Sequence, residues 1–83
     1  MVSMNPATAR NTHTVYAELV AGVMTVEVAL GDRLTPTDPV CLLESMKMEI
    51  PVLAEVTGRV TEVIVQPGDV VRDGDPLVVL AVD

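Results

Sequence analysis

Residues 15–43, VYAELVAGVMTVEVALGDRLTPTDPVCLL, contain the strongest structural signal in the chain. Residues 52–80, VLAEVTGRVTEVIVQPGDVVRDGDPLVVL, repeat their pattern at a constant offset of 37. The turn residues coincide in two places, Gly31-Asp32 with Gly68-Asp69 and Asp38-Pro39 with Asp75-Pro76. Two copies are too few for a solenoid. We expect two similar halves to bury their apolar faces against each other, around a pseudo-two-fold axis.

The chain reads as short strands separated by turns. Six β-rich runs stand between Gly, Pro and Asp clusters, at residues 15–20, 23–30, 39–44, 48–54, 59–65 and 76–82. No window has a helical period with capping residues. The pattern therefore predicts an all-β sandwich or flattened barrel, in one domain over residues 14–83. Residues 1–13 are polar and aperiodic, and are predicted to form a disordered N-terminal tail.

The net charge of −7 limits the classes of partner. Nucleic-acid binding and anionic membrane surfaces both require clustered Lys and Arg, so neither is expected. A partner with a basic docking face is compatible with this charge. No apolar run approaches the roughly 20 residues of a membrane span, and a signal-peptide pattern is lacking. We therefore expect a cytoplasmic protein.

The chain offers no set of residues for catalysis of its own. Cys41 is the single cysteine, in an apolar run, and is predicted to be a core residue. His13 is the single histidine and has no ligands or catalytic partners at suitable spacing, so no metal is expected. The carboxylates concentrate in turns, where they cap backbone groups; these are Asp32, Asp38, Asp69, Asp73 and Asp75. A protein that is not an enzyme is the expectation.

The position of the linker between the halves, residues 44–51, follows from the same symmetry. A two-fold axis places it at one end of the molecule and the two chain termini together at the other. We therefore expect a tight hairpin with Met46 and Lys47 at its tip. Lys47 is the only lysine. Hairpins of this length prefer Asn-Gly or Asp-Gly at the tip.

The flanking residues also depart from what stability favours. Glu44 and Glu49 would lie opposite each other, and like charges so placed are destabilising. Met46 and Met48 would be partly exposed, which suits a surface that fits several protein pockets. Such local conflicts are expected where a function is located. Since a solvated lysine amine is protonated at neutral pH, Lys47 is better suited to modification by another enzyme than to nucleophilic catalysis.

Glu44-Ser45-Met46-Lys47-Met48-Glu49, within this repeat, resembles the biotin-attachment motif of the biotinyl domain family. The resemblance covers about residues 15–82, and in size the chain is similar to small stand-alone biotin carriers of bacteria. It implies a barrel-sandwich hybrid of two four-stranded antiparallel sheets. It also implies biotin linked covalently to Lys47 by a biotin–protein ligase, with Glu44, Ser45, Met46, Met48 and Glu49 in ligase recognition and presentation.

The resemblance further implies a biotin carboxyl carrier. Biotin would carry carboxylate from a biotin carboxylase to a carboxyltransferase, in an enzyme of the acyl-CoA carboxylase type. Two alternatives stay open. A lipoyl carrier shares the fold and the lysine position, although lipoyl domains usually have Asp before the lysine and Ala after it. An unmodified structural adaptor with the same fold would have no need of the lysine motif.

Two positions depart from the repeat and from the family pattern. Thr37 stands where the second half has Gly74, and a β-branched residue tolerates a positive φ poorly. We therefore expect the turn at 35–39 to differ from that at 72–76. Ala21 stands where the second half has Gly58. Both substitutions are expected to alter local stability and to leave the function unchanged.

Overall fold

The computed structural model describes residues 11–82, which form eight strands in two four-stranded antiparallel sheets. The strands are β1 (Thr12–Tyr16), β2 (Ala21–Val26), β3 (Arg33–Leu34), β4 (Pro39–Ser45), β5 (Met48–Leu53), β6 (Gly58–Val63), β7 (Val70–Val71) and β8 (Pro76–Val82). One sheet has the order β1-β8-β6-β3 and the other β5-β4-β2-β7. The predicted all-β architecture is confirmed. Within residues 11–82, no helix has the length and apolar character needed to cross a bilayer.

The offset of 37 is a structural symmetry. It carries β1, β2, β3 and β4 onto β5, β6, β7 and β8, and therefore carries one sheet onto the other. The predicted pseudo-two-fold relation is confirmed, but the halves do not form one layer each. Each sheet contains two strands from each half, because β1 pairs with β8 and β3 pairs with β6. The two repeats are therefore interlocked.

Two short strands were not predicted from the sequence, and one strand begins earlier than expected. β3 and β7 are two residues long and stand between turns, too short to show alternation. β1 begins at Thr12, so Thr12 and His13 pair with Ala81 and Leu80 although the sequence placed them in the tail. The rest of the predicted tail, residues 1–10, lies outside the described residues, as does residue 83.

The two ends of the described chain lie side by side. Thr12 pairs with Ala81, and the Val82 N–H donates a hydrogen bond to the Asn11 carbonyl at 2.6 Å. The strands at the two ends, β1 and β8, belong to the sheet that does not contain the 44–51 linker. The close approach of the chain ends is what the two-fold argument predicts.

The core between the sheets is aliphatic. Its buried residues are Val15, Ala17, Ala21, Val23, Leu34, Val40, Cys41, Leu43, Ala54, Val60, Val65, Val71, Leu77, Val78 and Leu80. No polar side chain among the described residues is buried. Cys41 is fully buried, which confirms its predicted place in the core. Burial raises the pKa of its thiol to about 11, and the Glu27 carboxylate adds to the shift.

Four aspartates fix the turns in symmetric pairs. Asp32 and Asp69 accept hydrogen bonds from the Ala29 and Gln66 N–H groups, each at 2.9 Å. Asp38 and Asp75 do the same for Thr35 and Arg72, also at 2.9 Å. The capping role predicted for turn carboxylates is confirmed at these four positions. Asp73 makes no such bond within residues 11–82.

The turns at 35–39 and 72–76 differ, as the Thr37 substitution predicts. Gly74 has φ +93 and donates its N–H to the Ala17 carbonyl at 2.8 Å. Thr37 does not adopt a positive φ. Instead, the Glu55 N–H donates to the Pro36 carbonyl at 2.8 Å, and Glu55 itself adopts φ 66. The turn at 72–76 thus contains a residue with positive φ, whereas at the turn at 35–39 the positive φ belongs to a residue that is hydrogen-bonded to the turn.

Candidate functional site

The 44–51 linker forms the predicted two-residue hairpin. Ser45 pairs with Met48 across β4 and β5, which leaves Met46 and Lys47 as the turn. Their φ angles are 52 and 66, and positive φ at both central residues characterises a type I′ turn. Such turns strongly favour Asn and Gly, because other side chains are strained in the left-handed region. Met46 and Lys47 therefore occupy turn positions whose left-handed backbone conformation does not favour their side chains.

The side chains of the turn project into solvent. Met46 is 91% exposed and Met48 is 63% exposed, and Lys47 is also exposed. The Lys47 amine makes no hydrogen bond or ion pair with any residue in 11–82. The chain thus offers a primary amine that nothing in the described fold engages.

The remaining predicted site residues stand directly below the turn. Glu44 and Glu49 are paired across the hairpin and both are exposed, and Ser45 is half-buried. The structure therefore brings all six predicted residues onto one hairpin. Two carboxylates and one amine therefore stand on the same hairpin. A protein that approaches this tip meets the amine of Lys47, the two methionine thioethers and, below them, two carboxylates, all within six consecutive residues.

Other reactive chemistry is sparse in the described part of the chain. Residues 11–82 contain no group of three His, Cys, Asp or Glu side chains placed to hold a metal ion. His13 lies in β1 opposite Leu80, and the Cys41 thiol is buried. The arrangement at the hairpin is suited to presenting an amine.

One surface feature was not expected from the sequence. A groove of about 650 Å³ runs between the edge strands β1 and β5, and its lining includes Tyr16, Leu19, Ile50 and Leu53. The repeat could have indicated it, because the offset of 37 relates β1 to β5 and so places equivalent edge strands in both sheets. The groove begins three residues beyond Lys47, at Ile50.

Fold and hairpin together are those of a carrier domain, a β body that presents one lysine on a projecting turn. The family model described as "Biotin-requiring enzyme" matches residues 14–80, and the chain belongs to this biotin/lipoyl attachment family. The biotinylated protein TB7.3 homologue of Mycobacterium leprae is 52% identical over 67 residues, covering 81% of this chain and 94% of that protein.

Two longer relatives extend the comparison. The biotin carboxyl carrier protein of Streptococcus mutans is 35% identical over 75 residues, covering 90% of this chain and 58% of that protein. A solved single-chain, multi-domain long-chain acyl-CoA carboxylase superposes with a TM-score of 0.82 at 30% identity, covering 100% of this chain. This chain spans 8% of that carboxylase. The family and its carrier relatives identify covalently attached biotin as the group that the domain carries.

Proposed function

We propose that Lys47 is the residue to which biotin is attached, and that the chain is a biotin carboxyl carrier. The observation that carries the proposal is the exposed Lys47 amine, unengaged within residues 11–82, at the tip of a type I′ turn. An amide with the carboxyl group of biotin requires an amine that a second enzyme can reach and deprotonate. The amine meets the first requirement, and a ligase pocket supplies the second by desolvation.

The flanking residues serve recognition and presentation in this proposal. Glu44 and Glu49 would offer carboxylates to basic groups of a biotin–protein ligase. Met46 and Met48 would offer flexible apolar contacts that adapt to the ligase and later to other pockets. Ser45 precedes the turn and pairs with Met48, which places it at the base of the tip that a ligase would meet.

The carrier would work with two enzyme sites. Attached biotin accepts a carboxyl group at a biotin carboxylase and delivers it at a carboxyltransferase. The domain contributes no catalytic group, and its effect is to raise the effective concentration of biotin at each site by tethering. The likeness to an acyl-CoA carboxylase supports an acyl-CoA as the acceptor.

The test is the intact mass of the full chain after incubation with a biotin ligase, biotin and ATP, beside Lys47→Arg. We expect one biotinyl increment on the wild type and none on the variant, with both proteins giving the same β-rich circular dichroism spectrum. Arg keeps the charge and removes the acylable amine, so it is the matched control. An increment on the variant, or a folded wild type that stays unmodified, would overturn the assignment.

The same preparation separates the two alternatives. Incubation with a lipoate ligase, lipoate and ATP should leave the mass unchanged, and a lipoyl increment would favour the lipoyl carrier. A folded wild type that neither ligase modifies would favour the structural adaptor. The acceptor is tested separately, by carboxylation of an acyl-CoA in the presence of the partner enzymes.

A further inference from the structure

The hairpin tip exposes two thioether sulfurs on either side of Lys47. Met46 and Met48 are 91% and 63% exposed. Neither belongs to the core cluster or to the apolar residues packed against it. Met24, the other methionine among residues 11–82, is half-buried in β2. An oxidant in solution therefore reaches the sulfurs of the tip before that of Met24.

The one thiol of the chain is buried, and unlike the two thioethers of the tip it is protected from oxidants in solution. Cys41 has no exposed surface. Burial first, and then the Glu27 carboxylate, raises the pKa of this thiol to about 11. Because the thiolate is the form that oxidants attack, the thiol is inert near neutral pH. Sulfur oxidation in the described part of the chain is thus directed to the hairpin.

We propose that Met46 and Met48 form a peroxide-oxidation site, and that their conversion to sulfoxide slows the modification of Lys47. The coupling to Lys47 rests on the proposed function. The reactant is hydrogen peroxide. The Sδ lone pair attacks one peroxide oxygen, the O–O bond breaks and an S–O bond forms. The sulfur loses two electrons, and the departing hydroxide takes the proton from the oxygen now bound to sulfur, so that a sulfoxide and one water are formed.

The effect on Lys47 follows from the polarity of the product. A thioether at the tip is an apolar group that a protein pocket can cover without penalty. A sulfoxide carries a strong acceptor, and burying it without a donor is unfavourable. The fold itself does not depend on either side chain, since both lie outside the core. Oxidation should therefore act on docking and leave folding intact.

The first measurement maps the oxidation. The full, unbiotinylated chain is treated with hydrogen peroxide, quenched and digested with trypsin. Cleavage after Arg10, Arg33, Lys47 and Arg59 places Met24, Met46 and Met48 in three different peptides, apart from the methionines of residues 1–10. We expect Met46 to gain oxygen first, Met48 next and Met24 last, with Met46 at least about fivefold faster than Met24.

The second measurement is the rate of biotinylation by a biotin ligase before and after peroxide. We expect the treated wild type to react about five- to tenfold more slowly. Methionine sulfoxide reductases A and B, one for each sulfoxide epimer, supplied with a dithiol as reductant, should restore the rate. The Met46→Leu/Met48→Leu double variant should show the same rate before and after treatment. Met24→Leu is the matched control and should lose rate as the wild type does.

Three results would overturn the proposal. They are oxidation of Met24 as fast as Met46, an unchanged rate in the treated wild type, and an equal loss of rate in the double variant. A folded, untreated wild type that the ligase does not modify would instead overturn the proposed function, and the coupling with it. The peptide map reports on the oxidation site in either case.

Discussion

Glu44 and Glu49 face each other across β4 and β5, in the second residue pair below the turn that carries Lys47. Like charges placed directly opposite in an antiparallel pair are destabilising, by a few tenths of a kcal/mol up to about 1 kcal/mol. Replacing one carboxylate with its amide removes the repulsion and keeps the shape of the side chain. Glu44→Gln should therefore raise the free energy of unfolding and, in the proposed function, lower the rate of biotinylation.

Urea denaturation at low and high salt measures the first effect, and a ligase assay measures the second. The gain in stability should shrink as salt rises, since salt screens exposed charges. Glu62→Gln is the matched control, because Glu62 is exposed and pairs with Val79. A Glu44→Gln protein that is less stable than the wild type at low salt would contradict the repulsion argument.

The methionines of the turn give a second prediction. Met46→Ala and Met48→Ala should each change the free energy of unfolding by less than about 0.5 kcal/mol, because both side chains lie in solvent. In the proposed function, each should impair carboxyl transfer more than biotinylation, since transfer would require the tip to fit two further pockets. The measurement compares the ligase rate with the overall carboxylation rate in the presence of the partner enzymes. Transfer rates equal to the wild type would refute it.

A glycine pair tests how closely β6 approaches β8. A Cβ on Gly58 would lie 2.5 Å from the Ala81 carbonyl oxygen, whereas a Cβ on Gly22 would have its nearest neighbour at 4.0 Å. Gly58→Ala should therefore destabilise the fold by about 1–3 kcal/mol, because backbone must shift to admit the methyl group. Gly22→Ala should change stability by less than about 1 kcal/mol. Thermal unfolding of both variants checks this, and equal melting temperatures would count against the close approach.

The buried thiol gives a prediction about pH. The pKa of Cys41 rises from 9.0 to about 11 in the folded protein. Between these values the folded state binds more protons than the unfolded state, so stability falls as pH increases from about 9 to about 11. Below pH 9 the contribution is fully present. Urea denaturation across this range should show a steeper loss of stability for the wild type than for Cys41→Val. The variant keeps Tyr16 and Lys47, so any contribution of these two residues is common to both proteins. Parallel curves would show that the thiol titrates normally.

Much of the fold could be predicted because the repeat placed turns and apolar residues in register. The hairpin at Met46 and Lys47, and the opposition of Glu44 and Glu49, followed from that symmetry. β3 and β7 could not be predicted, since two residues between turns show no period. The left-handed Glu55 was also missed, because Pro36, whose carbonyl accepts its N–H, lies far away along the chain. Tertiary pairing of this kind has no local signature.

The pairing of Thr12 with Ala81 has a consequence for how the domain can be joined to others. A longer polypeptide can enter and leave the domain at neighbouring points, so the domain fits as an insert within a host chain without stretching either linker. The hairpin belongs to the other sheet and takes no part in that junction. The same body can therefore swing on a double tether or diffuse freely, and in both arrangements the hairpin that carries Lys47 lies in the sheet that does not pair the chain ends.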